Sequence, residues 1–388
     1  MKSIEYLFVD MESVVPGNRY VQAKTKKTFI GGGAKFKVGD TLFARITPCL
    51  ENGKIAQFKD SCPDAIGFGS TEFFVFRGKK DVSDSSFVFY LANSEKIRKT
   101  AEKSMSGASG RQRADLNSLK NLVLKVPPLP TQRRIAAILS AYDELIENNS
   151  RRIKILEEMA RMIYQEWFVK FRFPGHEQAK FVESPLGMIP AGWEVRELGD
   201  VAKDFRRSVQ PDLIDLGTPY VGLEHIPRRS IALLDWGKAS DVQSMKLSFK
   251  KGEILFGKIR PYFHKVAIAP VDGVCSSDAI VISAKNKDFY PLVLLSVSSD
   301  EFVEEATQTS NGTKMPRANW NVLLKYKILV PQNTILQLFN EIIFNIINNI
   351  QNLLLKTRNL RQTRDMLLPK LISGEVDVSD LDIPIEER

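Results

Sequence analysis

Two stretches of the chain carry their apolar residues at alternating intervals of four and three. In the first, from about 131 to 169, these are Ile135, Leu139, Tyr142, Ile146, Asn149, Ile153, Leu156, Ala160, Ile163 and Trp167. In the second, about 334–372, the series is Phe339, Ile343, Ile346, Ile350, Leu353, Leu360, Leu367 and Leu371, interrupted by Thr357 and Arg364. Heptad spacing keeps one apolar seam on a supercoiling helix. The pattern therefore predicts two helices of near 40 residues, each roughly 60 Å long at about 1.5 Å per residue. Globular helices average only about 11–12 residues. Two such helices packed on each other explain these lengths better than two covers for separate domains. Asn149 falls on the first seam, where a polar side chain either fixes register or faces solvent.

Ahead of each helix the pattern changes. DTLFARI and EILFGKI, TEFFVFRG and AIVISAK are short apolar runs beside glycines and predict strands and turns. A proline-bearing hinge, VPPLP at 126–130 and VPQN at 330–333, then leads into each helix. The expected fold is α+β, with two mixed, strand-rich domains separated by two long helices packed as an antiparallel coiled coil.

The chain is written twice. KVGDTLFARITP at 37–48 returns as KKGEILFGKIRP at 250–261, and FVDMESV at 8–14 as YVGLEHI at 220–226. CPDAI at 62–66 resembles CSSDAI at 275–280, and RADLNSL at 113–119 resembles RANWNVL at 317–323. The order is the same throughout, and the helices keep the offset of the last pair. The expected division is 1–128, a first domain; 129–172, a central helix; 173–331, a linker and second domain; and 332–378, a C-terminal helix and tail. Glycines and prolines in 173–201 mark the linker. The first copy has no counterpart of GWEVRELGD (192–200), so it is expected to lack an opening strand and turn, or to take them from another segment.

Composition narrows the function. Hydrophobic residues make up 43% and charged residues 26% of 388, which is a globular balance, and a net charge of +9 favours polyanionic partners. Cys49, Cys62 and Cys275 match no zinc ribbon or disulfide framework and read as buried small residues in a reducing compartment. No apolar stretch suits a membrane span, and MKSIEYLFVDMES is no export signal, so a cytoplasmic protein is expected. Walker A, H-E-x-x-H, G-x-S-x-G and Asp/Glu-x-Lys patterns are absent, and His176, His225 and His264 are scattered. VPPLP is not the Asn/Asp-Pro-Pro-aromatic motif of an adenine methyltransferase. No catalytic, cofactor-binding or metal-ligating residue is expected.

The basic features suit duplex DNA instead. Lys24, Lys26, Lys27, Lys35 and Lys37 lie in a stretch without acids, around a Gly31–Gly33 turn, and suit phosphate contacts. SGASGRQRAD at 106–115 places Arg111, Gln112 and Arg113 beside glycines. Its counterpart, SNGTKMPRAN at 310–319, places Asn311, Lys314, Arg317 and Asn319. Arginine pairs with guanine, and Asn or Gln with adenine, in the major groove, although each of these residues also suits a turn. Arg45, Lys258 and Arg260 sit in the repeated strand motif, where alternate positions face the core.

These features together resemble the specificity subunit of type I restriction-modification enzymes. The resemblance is carried by GWEVRELGD, KKGEILFGKIRP, SNGTKMPRANWN at 310–321, KTRNLRQTRDMLLPKLISGEVDV at 356–378 and LPTQRRIAAILSAYDELIENN at 129–149. It implies two target-recognition domains, each reading one half of an asymmetric bipartite DNA site. It further implies two modification subunits docked beside the helices, methylating adenine with S-adenosylmethionine. Restriction subunits would join them for ATP-dependent translocation and cleavage, and this subunit would have no active site. A stand-alone DNA-binding regulator and a non-catalytic coiled-coil scaffold are the alternatives. The shortened first domain departs from the family pattern.

Overall fold

A computed structural model describes residues 4–241 and 243–383, without the side chain of Asp241; the first three residues of the expected 1–128 domain lie outside the described residues. The chain divides into two compact units, Met1–Glu147 with Asn359–Arg388, and Asn148–Arg358.

In the first unit, β1 (Glu5–Val9), β2 (Tyr20–Val21), β3 (Thr25–Thr28), β4 (Ala34–Lys37), β5 (Thr41–Ala44), β6 (Ile55–Phe58), β7 (Ile66–Gly69) and β8 (Phe73–Phe76) form two four-stranded sheets. Their orders are β3-β1-β7-β4 and β2-β6-β5-β8. Then come α1 (Ser85–Asn93), α2 (Glu95–Lys103), α3 (Leu116–Lys120) and the start of α4 (Leu129–Tyr164). All four residues of β5 are buried. Successive side chains of a strand point to opposite faces, so Leu42 joins Val9 and Phe36 on one side while Phe43 joins Phe87 and Tyr90 on the other. A strand covered on both faces reads as an unbroken apolar run.

The second unit opens with the hairpin β9 (Phe181–Ser184) and β10 (Gly187–Pro190) in the linker, followed by β11 (Glu194–Glu197), α5 (Leu198–Val201), β12 (Ala202–Phe205) and β13 (Ser208–Val209). Next are β14 (Pro219–Val221), β15 (Gly237–Lys238), β16 (Lys246–Phe249), β17 (Ile254–Gly257), β18 (Val266–Ile268), β19 (Gly273–Cys275) and β20 (Ala279–Ala284). The unit continues through α6 (Tyr290–Val297), α7 (Asp300–Gln308), α8 (Trp320–Leu323), β21 (Lys327–Val330) and α9 (Asn333–Ser373), which ends in the first unit. Its larger sheets run β13-β16-β19-β14-β15 and β12-β20-β17-β18.

The copies share their registers. β1 lies parallel to β7, Phe8 opposite Phe68, as β14 lies parallel to β19, Tyr220 opposite Val274. Gly39 and Gly252 turn the chain into β5 and β17 with the same φ of 87°, a left-handed conformation that glycine adopts without strain. One sequence match is corrected. Phe36 pairs Gly67 and Phe249 pairs Gly273, so Cys275 corresponds to Gly69 and Asp278 to Glu72. The likeness of CPDAI to CSSDAI is coincidental. The cysteine reading is corrected too: Cys62 is exposed, Cys49 half-buried and only Cys275 buried, its thiol pushed up to about 12 by burial and then by Glu253.

Among the described residues the first unit has no counterparts of β11, α5, β12 and β13. In the second unit these cover β21, β20 and β16. Accordingly 123–126, equivalent to β21, forms no strand, and Val123 is 84% exposed. One substitution is local: Glu253 pairs with Arg207, which precedes β13, whereas the equivalent Asp40 takes a two-pronged bond from Arg77 at 2.8 and 2.6 Å. Amide exchange should register the open edge. Phe73–Phe76 should exchange roughly tenfold or more faster than Ala279–Ala284; equal protection would mean that β8 is covered in solution.

The long helices meet in antiparallel fashion within both units. Ile135 and Leu139 share the first core with Leu371, and the Trp167 ring lies 5.7 Å from that of Phe339 in the second. Every seam position named from the heptads is buried or half-buried, Asn149 included, so that asparagine does not face solvent. α4 also grips the second unit through Glu157, whose carboxylate accepts bonds from Ser230 Oγ (2.7 Å), Ile231 N (2.8 Å) and Ala232 N (3.1 Å). Burial pushes its pKa above 4.5, against those bonds. A raised folded pKa contributes stability in full below the unfolded value, and that contribution is lost as pH rises through the folded value. Glu157→Gln should therefore keep the bonds and remove this loss. Glu157→Ala should cost about 2–4 kcal/mol by leaving buried N–H groups unpaired. Urea titration at pH 5 and 7 checks both; an alanine variant as stable as wild type would contradict the account.

Candidate nucleic-acid interface

Each unit brings three segments together in the same way. In the first, Arg45 follows β5, donates its N–H to Glu72 O (3.0 Å) and accepts from Ala114 N (2.8 Å), while Thr47 N donates to Gln112 O (3.0 Å). In the second, Lys258 N donates to Asp278 O (2.9 Å), Ala318 N to Lys258 O (2.8 Å) and Arg260 N to Pro316 O (2.8 Å). Paired backbone bonds pinch each loop at its base, Ser106 with Arg113 (3.1 and 2.9 Å) and Asn311 with Arg317 (3.0 and 2.9 Å).

The sequence dictates these loops. Gly107, Gly110 and Gly312 take φ of 122°, 77° and 96°, where a side chain would be strained. Asp115 and Asn319 cap the helices that follow, accepting from Asn117 N and Asn321 N at 3.1 Å. Ser70 and Ser276 accept from Glu72 N (3.1 Å) and Asp278 N (3.2 Å), fixing the turn that carries each acid.

Charges then converge. Arg113 reaches Glu72 through Nε (3.0 Å) and Nη2 (2.7 Å), and Arg45 Nε reaches it at 3.2 Å. The Arg113 bond chiefly, opposed by partial burial and helped by Arg45, holds the Glu72 carboxyl below its usual range. In the second unit Arg317 Nε and Lys258 Nζ lie 3.9 and 4.0 Å from Asp278 Oδ1, and Lys258 Nζ also donates to Ser277 O at 2.6 Å.

Of the residues singled out by sequence, the structure thus brings Arg45 together with Arg113, and Lys258 with Arg317. Arg111, Asn311 and Lys314 are exposed on the loops, and Gln112 is half-buried with its carbonyl engaged. Asn319 spends its oxygen on the helix cap. Arg260 is half-buried at φ 49°, with its Nε enclosed and unbonded. The lysines lie elsewhere: Lys26 and Lys27 on β3, Lys24 just before it, Lys35 and Lys37 on β4, at opposite edges of one sheet. All five are exposed, with Lys27 Nζ 3.8 Å over Phe8 and Lys35 Nζ 4.7 Å over Phe29. Gly31–Gly33 form the turn between these strands, each at positive φ.

Glu72 and Asp278 were missed by sequence reasoning because CPDAI set Asp278 against Asp64. The signal available was Ser-x-acid, at 70–72 and again at 276–278, each directly before a strand-forming apolar run. Among the described residues no three His, Cys, Asp or Glu side chains group to hold a metal, and no helix is long and apolar enough to cross a membrane.

A family model, the type I restriction modification DNA specificity domain, matches residues 15–158 and 190–361. The specificity subunit of the type I restriction enzyme MjaIX of Methanocaldococcus jannaschii is 26% identical over 316 residues, 78% of this chain and 71% of that protein. The MjaVIII specificity subunit of the same organism is 24% identical over 339 residues, 81% and 78% of the two chains. Among solved structures, the S subunit of a type I restriction-modification system from M. genitalium is similar in fold, with a TM-score of 0.53 at 14% identity, covering 95% of this chain and 92% of that one.

Proposed function

Since the chain belongs to the specificity subunits of type I restriction-modification systems, we propose that its two copies are the two reading heads for one asymmetric, bipartite duplex site. Sequence-specific DNA recognition within a type I complex is its function, and assembly with methyltransferase and translocase/nuclease subunits follows from the family. The finer reading assigns the first head to residues 1–128 and the second to 173–331. Two modification subunits dock beside the helices of 129–172 and 332–378 and methylate adenine.

The observation that carries this reading is the braced basic loop, built once in each unit on the same backbone bonds but with different exposed side chains. Equal scaffolds with unequal readers suit two different half-sites. Arg113 and Arg317 present guanidinium groups that pair with guanine; Arg45, Arg111, Gln112, Lys258, Arg260, Asn311, Lys314 and Asn319 flank them. Lys24, Lys26, Lys27, Lys35 and Lys37 contact phosphate, which adds affinity without sequence.

The test is selection from a randomised duplex library by the full chain with its modification subunits. Arg113→Ala should erase preference in one half-site and Arg317→Ala in the other, each by about 1–3 kcal/mol at the contacted position. Lys26→Ala with Lys27→Ala should weaken binding to all sequences alike and flatten its salt dependence by about two. Retention of both half-site preferences in both arginine variants would remove these loops from recognition.

A further inference from the structure

We propose that Glu72 and Asp278 are positioning residues for DNA reading, each holding a basic pair in the orientation that a base edge requires. The inference rests on the reading of the two loops as recognition elements and extends it to acids that would otherwise count as liabilities beside DNA.

The first ground is geometry repeated in both copies. Glu72 and Asp278 stand directly before the equivalent strands β8 and β20. In both, a serine two residues earlier accepts from the N–H of the acid, and the carbonyl of the acid accepts from the N–H of the basic residue that follows β5 or β17. Glu72 is hydrogen-bonded to that residue, Arg45, and to Arg113 at the base of the loop, whereas Asp278 stands at the looser ion-pair distances of 4.0 and 3.9 Å from Lys258 and Arg317. The rest of the neighbourhood has diverged. The loops differ in length and sequence, and the acid itself changes from glutamate to aspartate.

The second ground is the edge that the acid uses. Glu72 takes the Nε and Nη2 side of Arg113. A guanidinium is a planar fork with five N–H donors. Engagement on that side leaves the Nη1–Nη2 edge, which pairs with guanine O6 and N7. An exposed arginine without such a partner samples many rotamers and pays entropy to bind; one already fixed in its plane pays less.

The third ground is electrostatic. A loop that only gripped phosphate would gain nothing from a carboxylate among its cations, because that charge repels the backbone. An acid kept in the site penalises indiscriminate phosphate contact while it orients the reader, and disfavouring wrong partners is one of the two routes to specificity. The side chains of Arg113 and Arg317 stay about half exposed, so they remain available to a ligand.

The experiment uses the full chain with its modification subunits, a randomised duplex library, and one fixed non-specific duplex as probe. Glu72→Gln should weaken base preference in one half-site by roughly 5- to 150-fold, the span of a single bidentate base contact. It should leave the other half-site intact. Binding to the fixed duplex should hold or tighten, since a negative charge has gone. Asp278→Asn should do the same to the opposite half-site. Glu72→Asp and Asp278→Glu, which exchange the acids the two copies already use, should restore preference. Unchanged selection in Glu72→Gln and Asp278→Asn would overturn the proposal, as would a single variant that loses both half-sites or acids that fail to rescue. A wild-type complex that selects no sequence would instead bring down the recognition reading beneath it.

Discussion

Replacing Arg364 by alanine should destabilise the first unit by about 3–5 kcal/mol, the usual cost of removing one partner from a buried ion pair. Arg364 interrupts the apolar seam of α9, and the structure explains why it is there. Its Nη1 meets Asp143 Oδ1 at 2.5 Å, and Tyr90 donates its hydroxyl to Asp143 Oδ2 at 2.6 Å. The Asp143 side chain is 4% exposed and that of Arg364 14%. Without the arginine, the nearly buried carboxylate keeps one neutral donor, the Tyr90 hydroxyl. Replacing both residues by leucine should recover most of the loss, because well-packed apolar pairs are often as stable as buried ion pairs. All four tryptophans, Trp167, Trp193, Trp236 and Trp320, lie in the second unit. Urea titration followed by tryptophan emission therefore reports that unit, while far-ultraviolet dichroism reports both. Arg364→Ala should shift the dichroism transition and move the tryptophan transition less. A variant as stable as wild type would show that the pair does not form in solution.

The second large effect concerns the helices as a spacer. The Asp143–Arg364 pair and the Trp167–Phe339 contact set nearly the same antiparallel register, which places residue 148 opposite about 358. A heptad inserted after Glu147 therefore needs its partner after Arg358. The internal repeat alone points to Leu353 as the equivalent of Asn149, and an insertion there would leave the two added turns out of step. Whole heptads keep the seam in phase. Each adds roughly 10 Å of helix, about three base pairs of duplex.

Much of this was legible in the sequence, for identifiable reasons. Heptads announce long helices because a seam of one residue in every three or four survives local variation. DTLFARI and EILFGKI announce strands because short apolar runs beside glycines fit strands and turns; that both faces of each are covered is shown by the structure. What failed was register and polarity. CPDAI matched CSSDAI by shared letters, and only strand pairing shows that Glu72 stands where Asp278 does. Arg364 looked like a flaw in the seam because its partner lies 221 positions away, outside any window of periodicity. The lysines around Gly31–Gly33 could not be placed on an element from sequence, whereas Lys26 and Lys27 lie on β3 and Lys35 and Lys37 on β4. β3 is exposed on both faces and carries no hydrophobic period to reveal it, and in β4 the buried Phe36 is too short a signal.

The most direct test of two heads on one helical spacer is methylation-site mapping in cells carrying this chain with its modification subunits. Wild type should mark a motif of two unlike half-sites around an unspecified gap. The paired heptad variant, if it folds, should mark the same half-sites with the gap lengthened by about three base pairs. The same gap in a stably folded variant, or one continuous motif in the wild type, would contradict the account.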